Sequence, residues 1–225
     1  MMGPAVLAPK KNRVLVVDDH PIVRQGMALL INREPDLEVC GEAAEASAAL
    51  EAIEQLRPDV VIVDLSLNGP DGMDLIKAIR VRSTTLPVLV LSMHDELTYA
   101  ERALRAGANG YIMKQEATTR VLTAVRRILQ GEMYLSDRAS SRVVQQFVRG
   151  GSAHGKSPFS ELSDRELEVF RLIGRGRGTR QIAEELHISI KTVESYQAHI
   201  KEKLSLRSAR ELVQHAILWS ISQPG

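Results

Sequence analysis

The stretch DVVIVDLSLNGPDG, residues 59–72, indicates the fold of the first half of the chain. Four of the five residues before Asp64 are Val or Ile, and the segment after it loosens into Asn, Gly and Pro. Such a run predicts a strand buried in the interior of a sheet. A buried carboxylate is costly unless a partner compensates its charge. Asp64 therefore either caps a turn or lies where chemistry happens.

Similar strand-like runs occur before and after this stretch, at residues 13–17, 37–41, 87–92 and 109–113. Apolar residues at helical spacing follow each run, as Ile22, Met27, Leu30 and Ile31 follow the first. The alternation predicts an α/β fold, with a five-stranded doubly wound parallel sheet covered by helices on both faces. In such sheets functional groups lie at the carboxyl ends of the strands, and Asp64 is at such an end.

The composition limits the class of protein. With 225 residues, 44% of them apolar and 25% charged, the chain suits a soluble protein of one large or two ordinary domains. Its apolar runs are too short to span a membrane, and residues 1–12 read as a disordered tail rather than a secretion signal. Cys40 is the only cysteine, which excludes intrachain disulfides and favours a reducing cytoplasm.

The second half of the chain has a helical pattern. Residues 131–160, which include RGGSAHGKSP, are predicted to be a linker that could contain a helix over 136–148. Residues 161–220 follow as an all-α domain, which opens on a capping box formed by Ser163 and Glu166. Its apolar spacing predicts four helices, at about 163–174, 179–186, 190–204 and 207–219. Residues 131–225 hold 14 Lys and Arg against 11 Asp and Glu, a mild excess suited to phosphate.

Charged and polar side chains follow several of the predicted strands. Asp18 and Asp19 follow the first strand, and because strands one and three are neighbours, both should converge with Asp64. Mg²⁺ would relieve the repulsion among three carboxylates. Ser92 ends the fourth strand and Lys114 follows the fifth, so this edge could also hold a phosphoryl group. Each residue alone could be an ordinary polar loop residue, but together they favour Asp64 as a nucleophile that forms an acyl phosphate.

Residues 13–130 resemble the receiver domain of two-component response regulators. The matching segments are VLVVDDHP, DVVIVDL with DG at residues 71–72, VLVLS and GANGYIMK. The resemblance implies a flavodoxin-like fold in which Asp64 accepts a phosphoryl group from a sensor histidine kinase. It implies that the Mg²⁺ ligands are Asp18, Asp19, Asp64 and the carbonyl of Ser66. It further implies that Ser92 and Lys114 contact the phosphoryl oxygens, and that Tyr111 rotates when Ser92 is drawn inward.

The sequence departs from this family pattern at two positions near the predicted site. Asn68 stands where relatives usually have proline, with Pro70 two residues later, and Gln115 follows Lys114 where many relatives have proline. We expect the local geometry of these two loops to differ from that of relatives, including the cis or trans state of a peptide bond. The six histidines are scattered and show no metal-ligand spacing.

Residues 162–216 resemble the LuxR-type helix-turn-helix module, and its pairing with a receiver is that of the NarL/FixJ class. The segment QIAEELHISIKTVESY independently has the two-helix, tight-turn spacing of a DNA-binding unit. On the second of these helices, helical spacing places Ile190, Val193, Ile200 and Leu204 on one face. We expect the opposite face, Lys191, Glu194, Ser195, Ala198 and Lys201, to enter the major groove of double-stranded operator DNA.

Individual contacts follow from that placement. Lys191 and Thr192 are expected near phosphates, together with Arg180, while Glu194, Ser195 and Ala198 are expected near base edges. Glu194 could instead be an exposed helix charge. The last predicted helix carries more apolar surface than a small bundle needs, at Leu212, Val213, Ala216, Ile217 and Trp219. The family implies a dimer contact there, and the alternative is packing within the core.

The sequence thus predicts a transcriptional regulator whose DNA binding depends on phosphorylation, rather than an enzyme. The expected partners are a histidine kinase, operator DNA, a second copy of the phosphorylated chain and RNA polymerase, with no membrane. One alternative is a phosphatase with an Asp nucleophile, but such enzymes need a second acid two residues on, where Ser66 stands. Another is a DNA-binding protein that is never phosphorylated, which the full acidic set disfavours.

Overall fold

The computed structural model describes residues 10–67, 72–148 and 158–222. The chain divides into two compact units, Met1–Gln145 and Gln146–Gly225. The first unit contains five parallel strands, which are β1 Asn12–Val17, β2 Leu37–Ala43, β3 Val60–Val63, β4 Val88–Ser92 and β5 Gly110–Met113. Their order in the sheet is β2-β1-β3-β4-β5. The predicted doubly wound parallel sheet is confirmed, with strands one and three as neighbours.

The helices of this unit are α1 Pro21–Asn32, α2 Ala46–Leu56, α3 Gly72–Arg82, α4 Glu96–Ala106 and α5 Ala117–Leu129, and α6 Asp137–Val148 begins in it and crosses the boundary to the second unit. A short 3-10 turn over Lys114–Glu116 lies between β5 and α5. The helical segment that Ile22, Met27, Leu30 and Ile31 mark is α1; Met27 and Ile31 are buried in it, whereas Ile22 is 75% exposed. The first strand begins at Asn12, one residue inside the segment expected to be a disordered tail.

The central strands explain why the site lies where it does. All four residues of β3 and the four apolar residues of β4 are buried, because helices cover both faces of the sheet. Burying each such side chain contributes about 1.5–3 kcal/mol. The pairing of Val17 with Val63 places the carboxyl ends of β1 and β3 side by side. Residues that follow these strands therefore meet at one edge of the sheet.

The chain returns to the sheet after α5. Tyr134 forms an isolated parallel bridge with Gly110 at the outer edge of β5. Its ring is 9% exposed and packs within the hydrophobic core, with the guanidinium of Arg127 5.5 Å from the ring centroid. This segment lies in the stretch expected to be linker, so that part of the linker is attached to the first unit.

The second unit has the four helices expected, α7 Asp164–Gly174, α8 Thr179–Glu185, α9 Ile190–Lys203 and α10 Ala209–Ser222. The predicted capping box of Ser163 and Glu166 is present at the start of α7. Phe159, Phe170 and Trp219 pack together with ring centroids 5.2–5.8 Å apart. On the apolar face of α9, Val193 and Ile200 are buried, whereas Ile190 is 46% exposed.

The start of α8 and the exposed face of α10 are the next two features of this unit. The N–H of Gly178 donates to the side chain of Gln181 at 3.0 Å, which is the bond that the third helical residue makes in a capping box, while Gly178 has no side chain to make the other one. On α10, Leu212, Ala216 and Trp219 are buried, while Val213 and Ile217 are 43% and 40% exposed. The apolar surface of this helix is thus divided between the core and the exterior.

Across the described ranges, every helix is too short or too polar to traverse a membrane.

Candidate functional site

Three carboxylates meet at the edge formed by β1 and β3, as the sequence predicts. Asp18 and Asp64 are each 1% exposed, and the side chain of Asp19 is 11% exposed. The backbone fixes the first two, since the N–H of Asp64 donates to the carbonyl of Val17 at 2.8 Å and that of Asp18 to Ala43 at 3.1 Å. Each of the three offers an oxygen within 4.8 Å of the others, which is a separation that one cation can bridge.

Lys114, which directly follows β5, also contacts this group. Its Nζ donates to Oδ2 of Asp64 at 2.8 Å and forms an ion pair with Oδ2 of Asp18 at 2.6 Å. Burial alone would lower the pKa of Lys114, but the charges of Asp64 and Asp18 outweigh it, so the pKa is raised and the ammonium is retained. One ammonium therefore faces three carboxylates, which leaves two negative charges to be balanced.

The Asp64 carboxylate is only partly compensated. Its Oδ1 is buried and has no hydrogen-bond partner, although the backbone N–H of Ser66 near the carboxylate lowers the pKa of Asp64. Burial raises the pKa of Asp64, Lys114 lowers it, and Asp18 raises it, with a net upward shift. Buried polar atoms are rarely left without partners. Oδ1 is thus the oxygen available to a metal ion or a phosphorus atom.

Gly72 determines how closely α3 approaches this carboxylate. Its N–H donates to the carbonyl of Leu65 at 3.0 Å. A Cβ at this position would lie 2.1 Å from the carbonyl oxygen of Asp64 and 2.7 Å from Cα of Leu65, which are distances that no side chain can occupy. The glycine of the DG pair is therefore required by the close approach of the backbone that carries Asp64. Asn68 and Pro70 fall outside the described residues.

His20 also belongs to the acidic cluster, which the sequence analysis missed. Its Nδ1 lies 2.6 Å from Oδ1 of Asp19 and 3.3 Å from Oδ1 of Asp18. Its N–H donates to Oδ1 of Asp18 at 2.9 Å. The spacing of the histidines along the chain gave no indication of this, although His20 offers a ring nitrogen within 4.8 Å of oxygens of Asp18, Asp19 and Asp64. Its position directly after the two aspartates was the available signal.

Ser92 and Tyr111 are brought together through a residue that sequence reasoning did not select, His94. The hydroxyl of Ser92 accepts the N–H of His94 at 3.1 Å, and the hydroxyl of Tyr111 donates to the carbonyl of His94 at 2.8 Å. The imidazole Nε2 lies 3.1 Å from Oγ of Ser66 and the ring stacks on Tyr99. Burial raises the pKa of Tyr111, so its hydroxyl remains a donor. Hence His94 contacts the loops after both β3 and β4.

Gln115 is exposed and follows Lys114 in the 3-10 turn. The Lys114–Gln115 bond is trans, as is every peptide bond of the described residues. The loop therefore positions Lys114 without the proline that many relatives have there.

The face of α9 expected to bind DNA points away from the core of its unit. Lys191, Glu194, Ser195 and Ala198 are exposed, and Lys201 is partly exposed. Thr192 is held by the cap of the helix, where its hydroxyl lies 2.7 Å from that of Ser189. On α8, the Arg180 side chain is 84% exposed and pairs with Glu184 at 3.7 Å. These groups are accessible to a large anionic partner.

Comparison with known proteins agrees with this architecture. Residues 14–126 match the family model of the response regulator receiver domain, and residues 160–216 match that of the luxR family of bacterial regulatory proteins. The chain is similar to the oxygen regulatory protein NreC of Staphylococcus carnosus, at 37% identity over 91% of this chain and 96% of that protein.

Solved structures give the same result. The Salmonella typhimurium response regulator RcsB is 28% identical, with a TM-score of 0.63 over 93% of this chain and 98% of that one. RcsB in a complex with DNA aligns with a TM-score of 0.56 and 27% identity over 95% of this chain and 100% of that one. A LuxR-family response regulator from Aurantimonas is 34% identical, with a TM-score of 0.57 over 62% of this chain and 99% of that one. The chain therefore belongs to the two-component response regulators that join a receiver domain to a luxR-family domain, and it is a DNA-binding transcriptional regulator.

Proposed function

We propose that phosphorylation of Asp64 by a sensor histidine kinase controls the binding of operator DNA by this chain. Residues 13–130 act as the receiver, residues 131–160 as the linker and residues 161–220 as the DNA-binding domain. The observation that carries the proposal is the Asp64 carboxylate, which is buried with Oδ1 free of hydrogen bonds and Oδ2 held by Lys114. A buried nucleophile with one oxygen fixed and the other free is positioned to react in one direction.

The reaction is a phosphoryl transfer between two side chains. Oδ1 of Asp64 forms the new O–P bond as the N–P bond of a kinase phosphohistidine breaks, and the departing imidazole nitrogen keeps the electron pair of that bond. Lys114 and the hydroxyl of Ser92 would contact the transferred oxygens. Their positive charge and hydrogen bonding would stabilise the negative charge that spreads over the phosphoryl oxygens.

Mg²⁺ is the cofactor that suits the site. The ligands would be Asp18, Asp19, Asp64 and the carbonyl of Ser66. Three carboxylates cluster here against the single ammonium of Lys114, which leaves two negative charges uncompensated. The double positive charge of Mg²⁺ would compensate both, and this supports the fit. When bound, Mg²⁺ would neutralise these charges and orient phosphoryl oxygens beside Asp64. The negative charge of the carboxylates attracts a cation to the site.

Major-groove binding by α9 is the proposed output. Lys191, Thr192, Arg180 and Lys201 would contact phosphates, and Glu194, Ser195 and Ala198 would lie at base edges. The exposure of this face, with the core residues Val193 and Ile200 on the other side, supports that orientation. The solved RcsB structures include a DNA complex and two dimers bound to parallel DNAs. A phosphorylated homodimer is therefore proposed here too, with the exposed Val213 and Ile217 of α10 as its contact.

The kinase, operator DNA and RNA polymerase are the proposed partners, and the cytoplasm is the proposed location, as a lone half-buried cysteine suits. We propose a regulator rather than an enzyme with multiple turnover. The residue two positions after Asp64 is Ser66, whose hydroxyl lies 3.1 Å from His94. A phosphatase of the Asp-nucleophile type would need a carboxylic acid there.

Incubating the intact chain with acetyl phosphate and Mg²⁺ tests the proposal. We expect one phosphoryl group on Asp64, detected by mass, none in Asp64→Ala, and tighter DNA binding by the phosphorylated chain. An unmodified Asp64 would contradict the proposal. Rapid release of many equivalents of phosphate would instead favour the phosphatase, and equal DNA affinity of both forms would favour a regulator that phosphorylation does not control.

A further inference from the structure

Helix α6 begins with a cap that is divided between two helices. Ser136 precedes the helix, and its hydroxyl accepts the N–H of Ala139 at 3.2 Å. In a capping box the third helical residue is Glu or Gln, whose side chain returns to the N–H of the capping residue. Residue 139 is Ala and has no such group. Oε1 of Glu96, the first residue of α4, accepts the N–H of Ser136 instead, at 2.8 Å.

Another helix of the same chain shows the ordinary arrangement. At the start of α7, the N–H of Glu166 donates to the hydroxyl of Ser163 at 3.3 Å, and the N–H of Ser163 donates to the Glu166 carboxylate at 2.6 Å. Both partners of that box lie within one helix. Helix α6 therefore depends on α4 for a group that α7 supplies to itself.

The residues just before α6 are fastened to β5. The N–H of Tyr111 donates to the carbonyl of Tyr134 at 2.9 Å, and the N–H of Tyr134 donates to Asn109 at 3.0 Å. At Gly110 a Cβ would lie 2.8 Å from the Tyr134 carbonyl oxygen, so the approach is close. Tyr111 thus contacts His94 through its hydroxyl and the linker through its backbone.

Glu96 is two residues from His94, where contacts from the phosphorylation site converge. The backbone N–H of His94 is bound by Ser92 and its carbonyl by Tyr111, at 3.1 and 2.8 Å. Glu96 itself is only 9% exposed. A short segment therefore runs from Ser92, at the end of β4, to the group that caps α6, and its residues Ser92, His94 and Glu96 are buried while Met93 is exposed.

We propose that this split capping box, Glu96 with Ser136, transmits the state of Asp64 to the linker helix α6. The inference rests on the proposed function. If Ser92 moves towards a phosphoryl group on Asp64 and keeps its hydrogen bond to the N–H of His94, His94 moves with it. Glu96 is then displaced relative to Ser136, because only one residue separates it from His94. The N-terminus of α6 loses the half of its cap that Glu96 supplies, while Ser136 still accepts the N–H of Ala139, and the start of the helix leading to the DNA-binding unit loosens.

Amide hydrogen exchange of the intact chain, followed at Ser136 by NMR, measures the state of this cap. With acetyl phosphate and Mg²⁺ we expect exchange at Ser136 to become about fivefold faster, the size of effect that loss of a helix cap produces. Glu96→Ala should show the same acceleration without a phosphodonor, and the ratio of DNA affinities with and without phosphodonor should fall towards one. Asp64 should still be phosphorylated in this variant.

Two variants separate a specific coupling from general damage to α4. Glu96→Gln keeps an acceptor oxygen at the same place and should behave as the unmodified chain. Glu101→Ala removes another acid of α4, which pairs with Arg105 at 2.7 Å, and should leave exchange at Ser136 unchanged. A phosphorylated Asp64 with unchanged exchange at Ser136 would overturn the inference alone. If Asp64 takes no phosphoryl group, the proposed function fails and this inference with it.

Discussion

Nζ of Lys114 lies 2.8 Å from Oδ2 of Asp64 in a hydrogen bond between two buried side chains. The Lys114 side chain is 11% exposed and that of Asp64 1%. The same ammonium contacts Asp18 at 2.6 Å. One ammonium thus contacts two buried carboxylates and offsets only part of their charge before any metal ion binds.

Replacing Lys114 with Met should make the receiver depend on a divalent cation. Removing one partner of a buried ion pair costs about 3–5 kcal/mol, because the remaining charge is uncompensated. Mg²⁺ would compensate it, so we expect a larger rise in Tm on adding Mg²⁺ for Lys114→Met than for the unmodified chain in EDTA. Lys77→Met, at an exposed lysine of α3, is the matched control. Equal rises for all three proteins would contradict the assignment of Lys114.

The raised pKa of Asp64 predicts that the ionised Asp64 carboxylate destabilises the folded receiver at neutral pH. Burial raises this pKa, Lys114 opposes the rise and Asp18 adds to it. A carboxyl with a raised pKa in the folded state contributes stability below its unfolded pKa, and that contribution is lost as pH rises through the folded value. Asp64→Asn should therefore be more stable than the unmodified chain at pH 7 in EDTA. The difference should vanish as pH falls below 3.8, the ordinary value.

Urea unfolding at several pH values measures that difference. Asp74→Asn, at an acid of α3 whose side chain is 59% exposed, should show no comparable gain. A less stable Asp64→Asn at neutral pH would mean that the contact with Lys114 outweighs the cost of burial.

The sequence alone predicted the positions of the site residues that directly follow a strand, because the strand order determines which strand ends are adjacent. Because β1 and β3 pair in parallel, residues that follow them must meet, and Asp18, Asp19 and Asp64 do so. His94 could not be selected in this way. Its role depends on the path of the loop after β4, which brings its ring to 3.1 Å from Ser66, and no periodic pattern encodes such a path.

Helical spacing also does not predict whether a residue at the end of a helix is buried. Ile190 has the spacing of a core residue, yet it is the first residue of α9 and is 46% exposed. The cap of α6 shows a second limit. Ser136 and Ala139 give only half of a capping box, and its other half comes from Glu96, forty residues earlier. Contacts distant in sequence leave no local signal.

Gly72→Ala should destabilise the receiver. The new Cβ would lie 2.1 Å from the Asp64 carbonyl oxygen, and the neighbour is backbone that cannot move aside without displacing Asp64. We expect a loss of about 1–3 kcal/mol in the free energy of unfolding, as for other overpacked sites, together with slower phosphorylation by acetyl phosphate. Gly26→Ala is the control, because a Cβ there meets nothing within 4 Å and Ala favours the helix α1. Equal stability of the two variants would refute the packing argument.

Glu166 should make the stability of the DNA-binding unit depend on acid pH. Burial raises the pKa of Glu166, but Lys203, at 2.6 Å, and the N–H of Ser163 outweigh it, so the pKa is lowered. Stability from a lowered pKa is present above the unfolded value, 4.5, and is lost as pH falls through the folded one. Glu166→Gln should lose about 2 kcal/mol at pH 7, and less at pH 3. A loss that is constant with pH would exclude the ionic contribution.

Lys191→Ala should weaken DNA binding evenly across sequences, because a phosphate contact positions the protein without reading bases. Each phosphate neutralised releases counterions, so the slope of log affinity against log salt should fall by about one unit. Fluorescence anisotropy at several salt concentrations, with operator and unrelated DNA, measures both quantities. Glu194→Ala should instead change the order of preferred sequences, since a carboxylate in the major groove accepts from cytosine. Lys77→Ala, in the receiver, is the control with an unchanged slope. An unchanged slope for Lys191→Ala would show that the exposed face of α9 does not meet the phosphate backbone at this residue.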